Sequence, residues 1–202
     1  MELRISQSSF NLNYEYTIFK QNEIIYYGKA NRVLLPKFRN IQIFNYKNEH
    51  LLSVKQESFL RILLTHLPII SFFSFSVCPY VFYYGDSKIG YMEEKHNGSS
   101  IVKGEIYGVF YELIEHTGKY IAIYSDKHQI GLIEREISKI GDGDKYKLIF
   151  NNSFNKEIAI CFCLLADILW HTSDTEIYSE KWEFSTELKE RPLNCKWKPV
   201  EK

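Results

Sequence analysis

Asp167 is the one charged residue in a run of chain that is otherwise apolar. Nine apolar residues, 158–166, precede it and Ile168, Leu169 and Trp170 follow. A carboxylate buried there costs several kcal/mol unless it is paired or hydrogen-bonded. Its expected partners are exposed backbone N–H groups, a basic side chain or water near the end of a helix, and structural anchoring is favoured over catalysis. A second group, Pro36-Lys37-Phe38-Arg39, interleaves basic and aromatic residues, with Lys55 and Arg61 further on. Lys37, Arg39 and Arg61 could grip an anionic head group while Phe38 enters the lipid interface; an ordinary polar loop accounts for the same residues. The remaining chemistry is sparse. His50, His66, His96, His116, His128 and His171 are scattered, four of them beside expected turns. Glu93-Glu94 and Glu134 with Glu136 read as solvated strand ends rather than an acid–base pair. Asp142-Gly143-Asp144 lacks the spaced ligands and closing Glu of a calcium loop. No nucleophile elbow, phosphate loop, dinucleotide fingerprint or zinc-protease motif occurs. No metal, cofactor or catalytic residue is assigned.

Those groups must be carried by elements that the composition constrains. The chain has 202 residues with 25 Lys or Arg and 25 Asp or Glu, hence zero formal charge. That balance argues against nucleic acid as a partner, whose phosphates call for excess cations. Aromatic residues make up 16% (15 Tyr, 14 Phe, 3 Trp), which favours sheet. The first ten residues lack the apolar segment and cleavage site of a secretory signal. Cys78, Cys161, Cys163 and Cys195 fit no zinc or redox spacing, so reduced thiols in a cytoplasmic protein are expected. Residues 62–84 have no charge and could in length span a bilayer. Pro68, Pro79 and several serines interrupt them, and Phe73, Phe75, Val77, Val81 and Tyr83 share one parity, so a strand with that face buried is preferred.

Short alternating runs separated by turns recur along the chain. Residues 14–20 lead through Gln21-Asn22 into 23–27; 41–46 into 51–56; 81–84 through Gly85-Asp86 into 89–93. Residues 105–115 are read as one run that turns at 116–118 into 120–124, followed by 129–134 and 145–150. Ile89-Gly90-Tyr91-Met92-Glu93 and Ile130-Gly131-Leu132-Ile133-Glu134 repeat one pattern, with Leu51-Leu52-Ser53-Val54-Lys55 a looser copy. One hairpin design used several times explains them, the glycine permitting a bulge or close packing.

Residues 156–171 then break the period. A helix apolar all round must be buried on every side. Sixteen helical residues run about 24 Å, close to the roughly 23 Å of a seven-residue strand. An eight-stranded barrel is filled by its own side chains, so enclosing a helix needs more strands, and ten to twelve candidates are present. The expected fold is mainly β: a closed antiparallel barrel of about twelve strands around a central, buried C-terminal helix. It occupies residues 1–171, with the helix at about 155–171. Residues 172–202 form an extension that packs on the barrel and are too few to build a core.

Paired strands ending in one wholly apolar helix resemble the tubby C-terminal domain-like superfamily. Within it the small LURP-one-related proteins are most alike, and phospholipid scramblases are more distant. The likeness is carried by Tyr16-Thr17-Ile18-Phe19 through Ile24-Ile25-Tyr26-Tyr27-Gly28, Ile41-Gln42-Ile43 through Leu51-Leu52-Ser53-Val54, and Tyr111-Glu112-Leu113 with Lys119-Tyr120-Ile121. Ile130-Gly131-Leu132-Ile133 and Lys145-Tyr146-Lys147-Leu148 before the helix complete it, over about residues 10–171. The resemblance implies a twelve-stranded barrel around a helix. Tubby domains bind phosphoinositides and scramblases act at membranes, but the tubby lipid-binding lysine and arginine and the scramblase calcium segment have no matching positions here. The expectation is a non-enzymatic, cytoplasmic binding or scaffold module, peripheral at the membrane if its ligand is anionic phospholipid, otherwise engaging a protein. The alternatives are an enzyme with a site assembled at a barrel mouth and a membrane-inserted, scramblase-like protein. Ligand identity and oligomeric state stay open.

Overall fold

A computed structural model of the chain describes residues 1–10, 13–31, 40–56, 79–94, 100–136, 143–170 and 191–199. Twelve strands form a closed antiparallel barrel: β1 (Glu2–Phe10), β2 (Asn13–Lys20), β3 (Glu23–Asn31), β4 (Asn40–Asn45), β5 (His50–Gln56) and β6 (Tyr80–Tyr84), then β7 (Ser87–Glu94), β8 (Ile101–Ile106), β9 (Val109–Thr117), β10 (Tyr120–Ser125), β11 (His128–Glu136) and β12 (Lys145–Phe150). Each strand pairs with its sequence neighbours, and β1 pairs with β12 to close the cylinder, Ile5 opposite Tyr146. Closure leaves no sheet edge. Tight turns joining β2–β3, β4–β5, β6–β7, β8–β9 and β10–β11 gather at one end, here the near end; the opposite end is the far end.

The run 105–115 is not one strand. Tyr107-Gly108 turns it back, with φ of 52° and 75°, and splits it into β8 and β9. Two left-handed residues in a row make the tight hairpin turn whose twist matches the flanking strands. Tyrosine is an uncommon residue there, which is why the pattern reads as continuous.

The helix α1 (Lys156–Trp170) begins at Asn155, whose side-chain oxygen accepts the Ile158 N–H at 2.9 Å. It starts at the near end and runs through the lumen to the far end. Every residue from Ile158 to Ile168 is buried. Strands from all round the wall touch it. Phe162 packs edge-on against Phe82 of β6 and Tyr111 of β9, and Leu164 faces Gly28 of β3. Lumen-facing positions alternate along the strands, as at Leu3, Ile5 and Gln7 or Tyr146, Leu148 and Phe150, all buried. On β6 the core face is Tyr80 and Phe82, not Val81 and Tyr83 as their parity implied; Tyr83 lies outside beneath the Lys55 ammonium. Apolar residues occur on both faces of that strand, so parity alone misleads. Residues 62–78 lie outside the described residues, and among the described residues no helix is long and apolar enough to cross a membrane.

The repeated hairpin pattern has one physical basis. In β2–β3 the register steps from Ile18–Tyr26 to Phe19–Ile24, leaving Ile25 unpaired; Leu51, Ile89 and Ile130 are skipped in the same way. Each is a bulge near the hairpin turn, which bends and coils the strand. All four bulged residues pack against the main core. They form an aliphatic rim over the near end, around the start of the helix. The glycine after Ile89 has a separate task. A Cβ on Gly90 would lie 2.1 Å from the Glu105 carbonyl oxygen, and one on Gly104 would lie 2.0 Å from that of Tyr91. β7 and β8 therefore approach more closely than side chains allow. Substituting Gly104→Ala should cost more than about 3 kcal/mol in urea unfolding, an overpacking that backbone must absorb. Gly118→Ala, which meets open space, should stay within about 0.5 kcal/mol.

Candidate functional site

The far end holds a polar network of the lumen, while at the near end the Tyr26 hydroxyl donates to Glu157 Oε1 at 2.6 Å. Asp167, 2% exposed, sits in the last turns of the helix. Its carboxylate accepts hydrogen bonds from Gln7 Nε2 of β1 at 2.8 Å, the Tyr16 hydroxyl of β2 at 2.5 Å and the Tyr146 hydroxyl of β12. Charge-assisted bonds of this kind are the strong ones. A further ring lies outside the first. Gln7 also binds the backbone of Asp144 at both ends, its own N–H donating to the Asp144 carbonyl and its Oε1 accepting the Asp144 N–H. Asp144 in turn pairs with the Arg135 guanidinium at 2.7 Å, a contact in which both side chains are mostly buried. One helix carboxylate is thereby tied to the strands on either side of the β1–β12 seam and, through Asp144, to β11.

Burial, reinforced by the Asp167 charge, raises the Tyr16 and Tyr146 phenols well above 10. They are proton donors at every physiological pH and cannot serve as bases. Burial likewise raises the Cys161 and Cys163 thiols, which are free and inert. The arrangement satisfies the Asp167 oxygens and ties the end of the helix to β1, β2 and β12.

The basic and aromatic set reads differently. Lys37, Phe38, Arg39 and Arg61 lie outside the described residues. The strand ends flanking them, Asn31 and Asn40 on one side and Gln56 and Tyr80 on the other, all belong to the far end. The Asn40 N–H donates to Asn31 Oδ1 at 2.6 Å and closes the base of the first pair. At the near end Ile24, Tyr46, Tyr84, Tyr107, Val109 and Phe110 are exposed. They occupy or flank four successive hairpin turns. A shallow depression of about 440 Å³ on the outer wall joins Glu15, Thr17, Tyr27, Lys29 and Phe44. Its two charges neutralise each other across 3.7 Å.

His66, His96 and His171 lie outside the described residues, and among the described residues, His50, His116 and His128 included, no group of three or more His, Cys, Asp or Glu could hold a metal. His50 rests its ring against Phe44 and His128 is exposed at a turn. His116 departs from the solvated-turn expectation. It is partly buried on the outer wall beside the Tyr124 hydroxyl, and burial lowers its pKa to about 4. Glu134 is paired with Lys119 at 3.2 Å rather than with a second carboxylate.

Sequence reasoning picked out Asp167 but not its partners. Gln7 carries the only usable signal: it is the polar member of the inward series Leu3, Ile5, Gln7. Tyr16 and Tyr146 look like any other core aromatic until folding brings them to the helix.

Tyr16→Phe and Tyr146→Phe should each cost about 1.5–3 kcal/mol in urea unfolding, one charge-assisted bond apiece, with the double variant deviating from additivity because the phenols share one carboxylate. The pH dependence has two limbs. An unfolded tyrosine ionises near 10 while the buried pair does not, so their stabilisation is whole below that value and falls as pH rises beyond it. An unfolded histidine takes up its proton near 6.5 but His116 resists until about 4, so its contribution is whole above 6.5 and lost as pH falls through 4. Melting temperature against pH and an NMR titration of the His116 ring check both limbs. No family model, curated protein or solved structure matches this chain.

Proposed function

We propose that this chain is a non-catalytic binding module of tubby-like design that works from its outer surface. The carrying observation is the filled lumen: the helix occupies the space in which a barrel of this strand number would otherwise hold a ligand or substrate, and every residue from Ile158 to Ile168 is buried. The polar groups that do enter the lumen bond to one another. Binding chemistry is then left to the ends and the wall. Anionic phospholipid is the favoured ligand, engaged by Lys37 and Arg39 with Phe38 entering the interface and Arg61 adding charge. The reading places the protein in the cytoplasm, moving to the membrane surface when the lipid is present.

Co-sedimentation with liposomes tests it. Wild-type protein should pellet with vesicles containing anionic lipid, less so as salt rises, and weakly with phosphatidylcholine alone. Lys37→Glu with Arg39→Glu should lose at least tenfold in apparent affinity. Binding that survives this change but is lost in a Tyr46→Ser, Tyr84→Ser, Tyr107→Ser variant would move the contact to the exposed aromatics of the near end. No binding by any form would remove lipid as the ligand.

A further inference from the structure

The outer wall of the barrel is charged and solvated over much of its area, with surface pairs such as Lys29–Glu15, Lys119–Glu134 and Lys147–Glu2. One patch differs. Ile101, Ile114, Ala122 and Tyr124 of β8, β9 and β10 form a small buried cluster separate from the main core. Leu193 packs on it, from the segment 191–199, which lies on the wall without joining the sheet.

Four consecutive residues of that segment are each recognised by a different means. Arg191 Nε donates to Glu112 Oε2 at 3.0 Å, and the two side chains are only 13% and 15% exposed. The Tyr124 hydroxyl reaches the carbonyls of Arg191 and Pro192 at 3.1 and 3.0 Å. Leu193 packs on the apolar cluster. Gln129 grips the main chain of Asn194 with both ends of its amide, accepting the N–H at 3.1 Å and donating to the carbonyl at 3.4 Å. Asn194 then caps a turn through the Lys196 N–H at 3.1 Å. A desolvated charge pair, a carbonyl clamp, an apolar seat and a two-point amide bond are the parts of a peptide-recognition site. A closed barrel offers no edge strand, so the recognition uses side chains instead of a sheet ladder.

We propose that the outer face of β8–β11 is a peptide-binding groove selective for an Arg-Pro-Leu-Asn segment, that residues 191–194 are its tethered occupant, and that the same segment of a second copy of this chain is its ligand in trans. The residues between Trp170 and Arg191 allow the exchange. Twenty residues reach at most about 70 Å when extended, against about 30 Å for a nine-residue strand. The same tether sets the competition. A tether of this length presents its ligand at an effective concentration on the order of millimolar, so occupation in cis prevails in dilute solution. The groove shares no residue with the lipid assignment and stands or falls separately from it.

Full-length protein carries the test. In the variant Arg191→Glu with Leu193→Asp the tail no longer fits its own groove; Leu193→Asp alone is the milder form. A fluorescent peptide of residues 191–199 should bind either variant saturably and bind the wild type at least about 100-fold more weakly, because the tethered tail competes. Glu112→Arg in the emptied variant should abolish binding of that peptide, and a peptide carrying Arg191→Glu should restore it. Mixing the double variant, which supplies a vacant groove, with a Glu112→Arg chain, which supplies an intact tail, should yield a heterodimer by sedimentation beyond the state of either alone. Equal binding by wild type and both variants, or no binding by any, overturns the groove. Peptide binding without a heterodimer overturns the assignment of a second copy as its ligand.

Discussion

An apolar helix cannot be left half exposed, and the rest of this molecule is arranged to meet that requirement. Residues 158–166 present hydrophobic side chains in every direction, so any single sheet face would cover only one side of them. Twelve strands closed on themselves cover all sides at once. The same requirement fixes the inward residues. Large rings such as Phe82 and Tyr111 pack around Phe162 of the helix, and glycine stands at position 28 where Leu164 presses on the wall, 2.7 Å from where a Cβ would be. Rod and cylinder define each other's dimensions.

The two ends of the lumen are finished differently. At the near end four bulged aliphatic residues pack against the core, beside a single bond from the Tyr26 hydroxyl to Glu157. At the far end a carboxylate, two phenols, an amide and a carboxylate–guanidinium pair are bonded into one network. A purely apolar rod could slide or rotate in a greasy tube at little cost. Three directional bonds to Asp167 remove that freedom, and their desolvation is offset by mutual satisfaction. This accounts for a buried charge without invoking chemistry upon a substrate.

Much of the architecture was legible in the sequence because its signals are local. Period-two alternation marked the strands, and the unbroken apolar run marked the helix and, through its need for burial, the barrel around it. The hairpin repeat was visible as Ile89-Gly90 and Ile130-Gly131, although the common element is the bulge at the aliphatic residue and not the glycine, since Ile25 and Leu51 share it without one following. The failures have physical causes too. Tyr107 adopts a backbone conformation that its side chain disfavours, which hid a turn. The Asp167 network joins residues up to 160 positions apart, which no local pattern encodes. The tail's seat on the wall depends on Glu112, Tyr124 and Gln129 from three strands, each unremarkable alone.

The position of the helix also bears on how the chain reaches its native state. The element at the centre is the last of the barrel to leave the ribosome, after all twelve strands. The cylinder therefore cannot seal in order of synthesis. Entry of the rod from the side needs one pair of neighbouring strands unjoined, and β1–β12 is the pair that no hairpin supplies, so such a state has two unpaired margins and an uncovered greasy interior. Such an intermediate invites self-association, and the contacts that end it, at the β1–β12 seam and along the helix, join residues distant in the chain and should form slowly. The seam between β1 and β12, bridged from within by Asp167, is where that vulnerability ends.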